Sequence, residues 1–267
     1  MKRDNGAVRE SFQKKLLSLV LPITFGQLMV TVVSASDALM VGGIGQDLLS
    51  AVSLAGQITF VYNLFLAALT IGTSMFAAQY WGKEDRASVE RVLAVALRAS
   101  LPVSFLFFMA AVLFPEWLMR LFTTDASLIG YGAEYLRIVG VTYLMLGISQ
   151  IYLCIMKNSG LAARSMLIGS VSAVLNIALN AVFIYGLFGA PRMEAAGAAM
   201  ATAMAKAAEL VWVLIEHGKE GRIKIRPGAM VRPDRRLRRE FWHYTLPVLG
   251  NELVWGGGFT MYSVIMG

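Results

Sequence analysis

The sequence predicts an all-α, polytopic membrane protein, and three observations carry that prediction. Seven stretches of about twenty or more mostly apolar residues follow one another along the 267 residues. An apolar helix of about 20 residues spans the roughly 30 Å hydrocarbon layer of a bilayer, and only helices and closed barrels satisfy their backbone polar groups there. Charged residues make up only 15% of the chain, against about 25% in an average soluble domain. The net charge of +7 is not spread evenly, because Lys and Arg crowd every second gap between the apolar stretches.

The spans read as 15–41, 48–80, 89–114, 127–156, 161–188, 195–216 and 241–266. The first is too long for a signal-peptide core and lacks a cleavage site, so it reads as a membrane helix. The second and fourth exceed what a bilayer needs, which predicts tilt or protrusion. The breaks carry turn chemistry: Gly42-Gly43-Ile44-Gly45, Trp81-Gly82-Lys83, Lys157-Asn158-Ser159-Gly160 and Gly189-Ala190-Pro191. Pro22, Pro102 and Pro247 fall inside spans, where membrane helices tolerate them.

Orientation follows from the basic residues. Twenty fall on one side, running from Lys2 through Lys83, Arg98, Lys157 and Arg164 to the 217–240 loop, while only Arg120 and Arg192 fall on the other. That bias predicts a cytoplasmic N-terminus and a cytoplasmic 217–240 loop. The loop reads first as a topological signal and second as a surface for anionic lipid. Charge confined to gaps argues against a nucleic-acid-binding face. Cys154 is the only cysteine, which excludes an intrachain disulfide, and with His217 and His243 it is too little for a zinc or haem site. No Gly-x-Ser-x-Gly, His-Glu-x-x-His or phosphate-loop pattern appears, so an intramembrane enzyme is not expected.

A faint repeat is present. Leu21-Pro22 and Gln27-Leu28 return as Leu246-Pro247 and Glu252-Leu253 at an offset of 225, and Gly42 then aligns with Gly267. Six spans followed by a restart predict a six-helix lobe over 1–216, a basic inter-lobe loop over 217–240, and over 241–267 the first helix of a second lobe that is otherwise missing.

Ionisable residues in spans cost at least about 2.5–3.5 kcal/mol on insertion scales, so they are functional candidates by default. Asp37 lies about 12 Å inside Gly45 along a helix. It reads either as an interfacial carboxylate or as a cation or proton site. Glu252 lies about 18 Å beyond Glu240 and is expected mid-membrane, in a coupling role. Lys206 and Glu209 are three residues apart on one helical face and read as an internal ion pair. Asn176 and Asn180 share a face by their spacing of four. Asn180 and Thr202 fall at a depth similar to Asp37. One carboxylate with amide and hydroxyl oxygens suits a hard cation such as Na⁺; the plainer alternative is inter-helix hydrogen bonding. The small residues from Ala195 to Thr202 let helices approach closely. Met and Phe, at fifteen and fourteen, supply adaptable apolar surface.

These residues carry a resemblance. Pro22 through Asp37 to Gly45, Ala77 to Gly82, Tyr135 to Ile138, Asn176 through Asn180, Gly197 to Thr202 and Pro247 through Glu252 resemble the multidrug and toxic compound extrusion (MATE) transporters, of a wider flippase-like superfamily. The resemblance implies two six-helix lobes around a central cavity, alternating access, and export of cationic or amphipathic drugs against H⁺ or Na⁺. It places Asp37 as the first-helix acidic residue, Asn176, Asn180 and Thr202 as its polar partners, and Glu252 as the seventh-helix acidic residue. Some members have Asp where this chain has Asn180, which leaves Asp37 as the main charge of the lobe. The resemblance further implies no cofactor beyond the coupling ion, no metal other than Na⁺ in that role, a prokaryotic plasma-membrane location, lipid as surroundings, and a monomer when full length. Members have about twice this length, so most of a C-terminal lobe is expected to be absent. The alternatives are a flippase for a lipid-linked sugar, which would need several basic residues lining its cavity, and a truncated fragment that does not transport.

Overall fold

Helix is the only regular structure among the described residues. The computed structural model describes residues 4–43, 45–189, 191–225, 228, 230 and 234–266. Lys2, Arg3, Arg226 and Arg232 of the basic count, Ile44 and Ala190 of the turns, and Gly267 of the repeat lie outside the described residues. The helices are α1 (Asp4–Gly42), α2 (Gln46–Gly82), α3 (Arg86–Leu113), α4 (Pro115–Arg120), α5 (Ala126–Met156), α6 (Ala162–Tyr185), α7 (Glu194–Gly218) and α8 (Arg235–Met266).

Five segments of the described residues are long and apolar enough to cross a membrane: Ile23–Met40, Gln46–Gly82, Arg86–Leu113, Ala126–Tyr185 and Glu194–Gly218. The Ala126–Tyr185 stretch contains both the fourth and fifth predicted spans. α8 covers the seventh predicted span but is not among the five. It begins with Arg235, Arg236, Arg238, Arg239 and Glu240 and carries Glu252 within its length.

Local signals account for most boundaries. Asp85 caps α3 by accepting from the Ser88 backbone N–H at 3.0 Å, and Asp125 caps α5 by accepting from Ser127 at 2.8 Å. Gly186 ends α6 in the left-handed region at φ 70°. Between α5 and α6 the expected turn at Lys157–Gly160 is a one-turn π segment, Lys157–Leu161, broken at Ser159 and at Gly160 (φ 74°). Asn158 stabilises this break: its amide donates to the Cys154 carbonyl at 2.8 Å and its oxygen accepts from Ser74 at 3.0 Å. Helix α4 was not expected. Pro115 at its start has a φ suited to a first turn, Glu116 lies at the positive end of the helix dipole and Arg120 at the negative end.

α5 is the central helix, packed against α2, α3, α4 and α7. A large apolar cluster joins Leu93 and Leu97 of α3, Ile151 and Ile155 of α5, Val213 of α7 and Phe241 of α8. A second joins Tyr62, Val139, Tyr143 and Ala199. Helix α1 lies on α6, and α8 lies on α2. None of the Ile23–Met40 window is buried. Leu39 is 77% and Val254 79% exposed, as suits surface turned to lipid or to further helices.

Residues of the basic 217–240 segment make specific contacts with α7 and α3. Glu216, buried at the end of α7, accepts from Lys219 and sits 3.4 Å from Arg222 and 3.5 Å from Arg164. Lys224 donates to the His217, Gly218 and Lys219 carbonyls at 2.8, 3.1 and 2.8 Å, satisfying the open end of α7. Its backbone N–H donates to Glu90 at 3.1 Å, and Arg98 donates to the Met230 carbonyl at 2.7 Å. Lys224 and Met230 are thereby held against α3.

Candidate functional site

The close approach of α6 and α7 builds the site. Gly197 of α7 sits against the Phe183 backbone, where an added Cβ would lie 2.9 Å from the carbonyl carbon and oxygen. Any larger residue would push the helices apart. Met193 N–H donates to the Phe183 carbonyl at 2.9 Å, fixing the register of the approach. Ser172 of α6 donates to the Ala205 carbonyl of α7 at 3.1 Å further along the same seam.

On that seam lie Asn176 and Asn180, 5% and 0% exposed. Asn180 Nδ2 donates to Asp37 Oδ1 on α1. In the amide orientation that satisfies both its ends, Asn176 Nδ2 donates to Asp37 Oδ1 at 3.2 Å and its Oδ1 accepts from the Thr202 backbone N–H at 3.3 Å. Thr202 Oγ1 donates to the Ala198 carbonyl at 3.0 Å. Asp37, Asn176, Asn180 and Thr202 therefore form one connected group across α1, α6 and α7. Asp37 is half-buried. Asn180 Oδ1 is buried and has no hydrogen-bond partner. Toward the end of α1 the group is closed by an apolar cluster of Leu48, Ile184, Ala195 and Ala198, with Met40 and Tyr135 against it.

Glu252 is not in this group. It is half-buried on α8 and has no hydrogen-bond or ion-pair partner among the described residues.

Lys206 and Glu209 of α7 are in contact, Nζ to Oε2, at 2.8 Å. Sequence reasoning missed the rest of that network. Ser149 of α5 donates to Glu209 Oε1 at 3.0 Å and Gln150 at 3.2 Å. The available signal was two adjacent polar residues inside an apolar span. Buried Glu209 thus has both oxygens engaged, as a charge out of water requires.

Arg137, read as lying within a span, is 57% exposed and lies 3.6 Å from Glu116 of α4.

A family profile described as MatE matches residues 22–182. Among curated proteins, the uncharacterized transporter YisQ of Bacillus subtilis is 25% identical over 242 residues, covering 89% of this chain and 52% of its own length. Multidrug resistance protein PmpM of Pseudomonas aeruginosa is 30% identical over 191 residues, covering 71% and 40%. Multidrug resistance protein NorM of Vibrio cholerae is 26% identical over 205 residues, covering 75% and 42%. The chain spans about half the length of the curated relatives it matches. A solved MOP superfamily transporter from Pyrococcus furiosus superposes with a TM-score of 0.78 at 24% identity, over 88% of this chain and 51% of that one. A multidrug resistance MATE family transporter in an outward-facing conformation gives the same values. These two likenesses show the fold.

Proposed function

The chain belongs to the MatE family of membrane transporters, and from that premise we propose that it is the N-terminal lobe and seventh helix of an antiporter that exports cationic or amphipathic compounds in exchange for H⁺ or Na⁺. The observation that carries the reading is the Asp37 carboxylate held by Asn176 and Asn180 across a helix interface, with the Asn180 Oδ1 buried and unpartnered beside it.

A carboxylate withdrawn from water needs donors or a cation. Here the Asn176 and Asn180 amides supply donors. A proton on Asp37, or a Na⁺ bound by Asp37 with the Asn180, Asn176 and Thr202 oxygens, would neutralise it. Hydrogen bonds to an ionised acceptor are about twice as strong as neutral ones, so neutralisation weakens the tie between α1 and α6. No residue of the Ile23–Met40 window of α1 is buried, and this tie joins that helix to α6. Cation binding at Asp37 would thereby favour a different seat for α1 and loosen the hold on a cationic substrate. The coupling exists only if the two states bind the ion with different affinity. Glu252 would play the matching part in a second lobe. The basic bias supports a cytoplasmic N-terminus and a cytoplasmic 217–240 loop.

The flippase alternative needs free bases facing a cavity. Lys206 and Arg137 are each engaged by a carboxylate, which disfavours it.

The test is ethidium efflux from proteoliposomes under an imposed pH or Na⁺ gradient, with the 267-residue chain and with a two-lobe form. Gradient-driven efflux by the two-lobe form that Asp37→Asn abolishes without loss of membrane insertion is the expected result. Unchanged efflux in that variant would refute the role of Asp37. Equal transport by the shorter chain would refute the need for the second lobe.

A further inference from the structure

The basic ends of α2 and α8 enclose a cleft of about 1230 Å³ that the proposed transport cycle does not use. Both walls carry the same gradient. On α2, Met75 and Gln79 lie four apart along one face, and Lys83, the C-cap just past the helix, continues it from apolar to cationic. On α8, Leu246, His243, Arg239 and Arg235 run the same way. By helix rise, the apolar residues sit about 12 Å from the cation on α2 and about 16 Å on α8. Tyr80, Trp242 and Tyr244 also line the cleft, residues favoured where apolar chain meets water.

The charges are uncompensated. Glu240 is the one carboxylate in the lining, and it is taken by Arg236 at 3.0 Å. Lys83, Arg235 and Arg239 have no ion-pair or hydrogen-bond partner for their side chains among the described residues. Three like charges converging on one cleft repel one another unless an anion sits between them. Two guanidinium groups match a phosphate bidentately, and the ammonium adds a point charge. An organic cation, the proposed cargo, is repelled from this cleft.

We propose that the α2–α8 cleft binds the phosphate group of an anionic phospholipid, with its acyl chains lying toward Met75 and Leu246. A free phosphate ion offers the same anion but leaves the apolar half of the cleft unused. The lipid satisfies both ends, and clustered bases next to a membrane helix are suited to anionic headgroups.

Native mass spectrometry of the purified protein in detergent tests this, with phosphatidylglycerol, phosphatidylcholine and inorganic phosphate as separate probes. Wild type is expected to retain phosphatidylglycerol over phosphatidylcholine, and the preference should fall about fivefold for each cation removed, in Lys83→Gln and in the double variant Arg235→Gln/Arg239→Gln. Arg120→Gln, at a basic residue away from the cleft, should leave it unchanged. Lys83→Gln alters an exposed residue at the end of α2 and keeps the test valid if the double variant does not fold. Equal retention of the two lipids, or an undiminished preference in Lys83→Gln, overturns the proposal. So does inorganic phosphate binding as tightly as phosphatidylglycerol, which would make the free ion the ligand.

Discussion

Asn180 of α6 donates its amide hydrogen to the carboxylate of Asp37 on α1, a contact between residues 143 apart in sequence. It joins α1, none of whose Ile23–Met40 window is buried, to α6, whose Asn176 and Asn180 are 5% and 0% exposed. The contact therefore sits where a change in one charge alters how two helices pack.

Asn180→Ala removes the donor and leaves the Asp37 carboxylate short of a partner. Losing one partner of a buried hydrogen bond costs about 1–3 kcal/mol. The expected outcome is a lower thermal midpoint in detergent and weaker stabilisation by added Na⁺, for which the Asn180 oxygen is a proposed ligand. Asn180→Asp is expected to shift the same dependence the other way by adding a second charge. Thermal unfolding measured across Na⁺ concentration and pH checks both.

Glu209 has three donors, Lys206, Ser149 and Gln150. Removing one member of a buried ion pair typically costs about 3–5 kcal/mol, because the other charge is stranded. Glu209→Leu should therefore unfold at a clearly lower temperature than wild type. Adding Lys206→Met to it should recover part of the loss. A double-mutant cycle in which the two effects simply add would show that the pair contributes no coupling.

Gly197→Val forces a side chain against the Phe183 backbone. Overpacking of this kind costs about 1–3 kcal/mol. The distinctive consequence is at the site: separating α6 from α7 moves Thr202 away from Asn176. Loss of Na⁺- or proton-dependent stabilisation should accompany the loss of stability. Gly169→Val, where an added Cβ meets nothing within 4 Å, is the control.

The Ser88 hydroxyl and backbone N–H hold the Asp85 carboxyl below the usual carboxylate range. A depressed pKa in the folded state means a contribution to stability that is present above the unfolded value, about 4, and lost as pH falls through the folded one. α3 is expected to loosen at its capped end on acidification. Asp85→Asn keeps a capping oxygen and should flatten that part of the profile. Hydrogen exchange of the 86–90 amides, followed from pH 6 downward, reports the effect.

Much of this molecule could be read before any coordinates. The apolar stretches located the long helices to within a few residues at most ends, because an apolar helix length is set by the bilayer and not by its neighbours. Spacing alone put Asn176 and Asn180 on one face. It could not show that this face meets α1 and not α5, since that depends on how closely Gly197 lets α7 approach α6. Ser149 and Gln150 were passed over because a polar residue in a span has no visible partner until the facing helix is placed. Arg137 lies within a span by residue count, but its Glu116 partner comes from α4, whose position the span pattern does not give.

The chain's own pattern decided the secondary structure, the membrane character and the face on which each polar residue lies, because those follow from local geometry and from the cost of exposing backbone to lipid. Packing alone decided which faces meet. It set Asp37 against two amides, engaged Lys206 and Arg137 with carboxylates, and left Lys83, Arg235 and Arg239 lining one cleft. Such pairings join residues far apart in the chain, and the energy of a charge depends on what stands beside it.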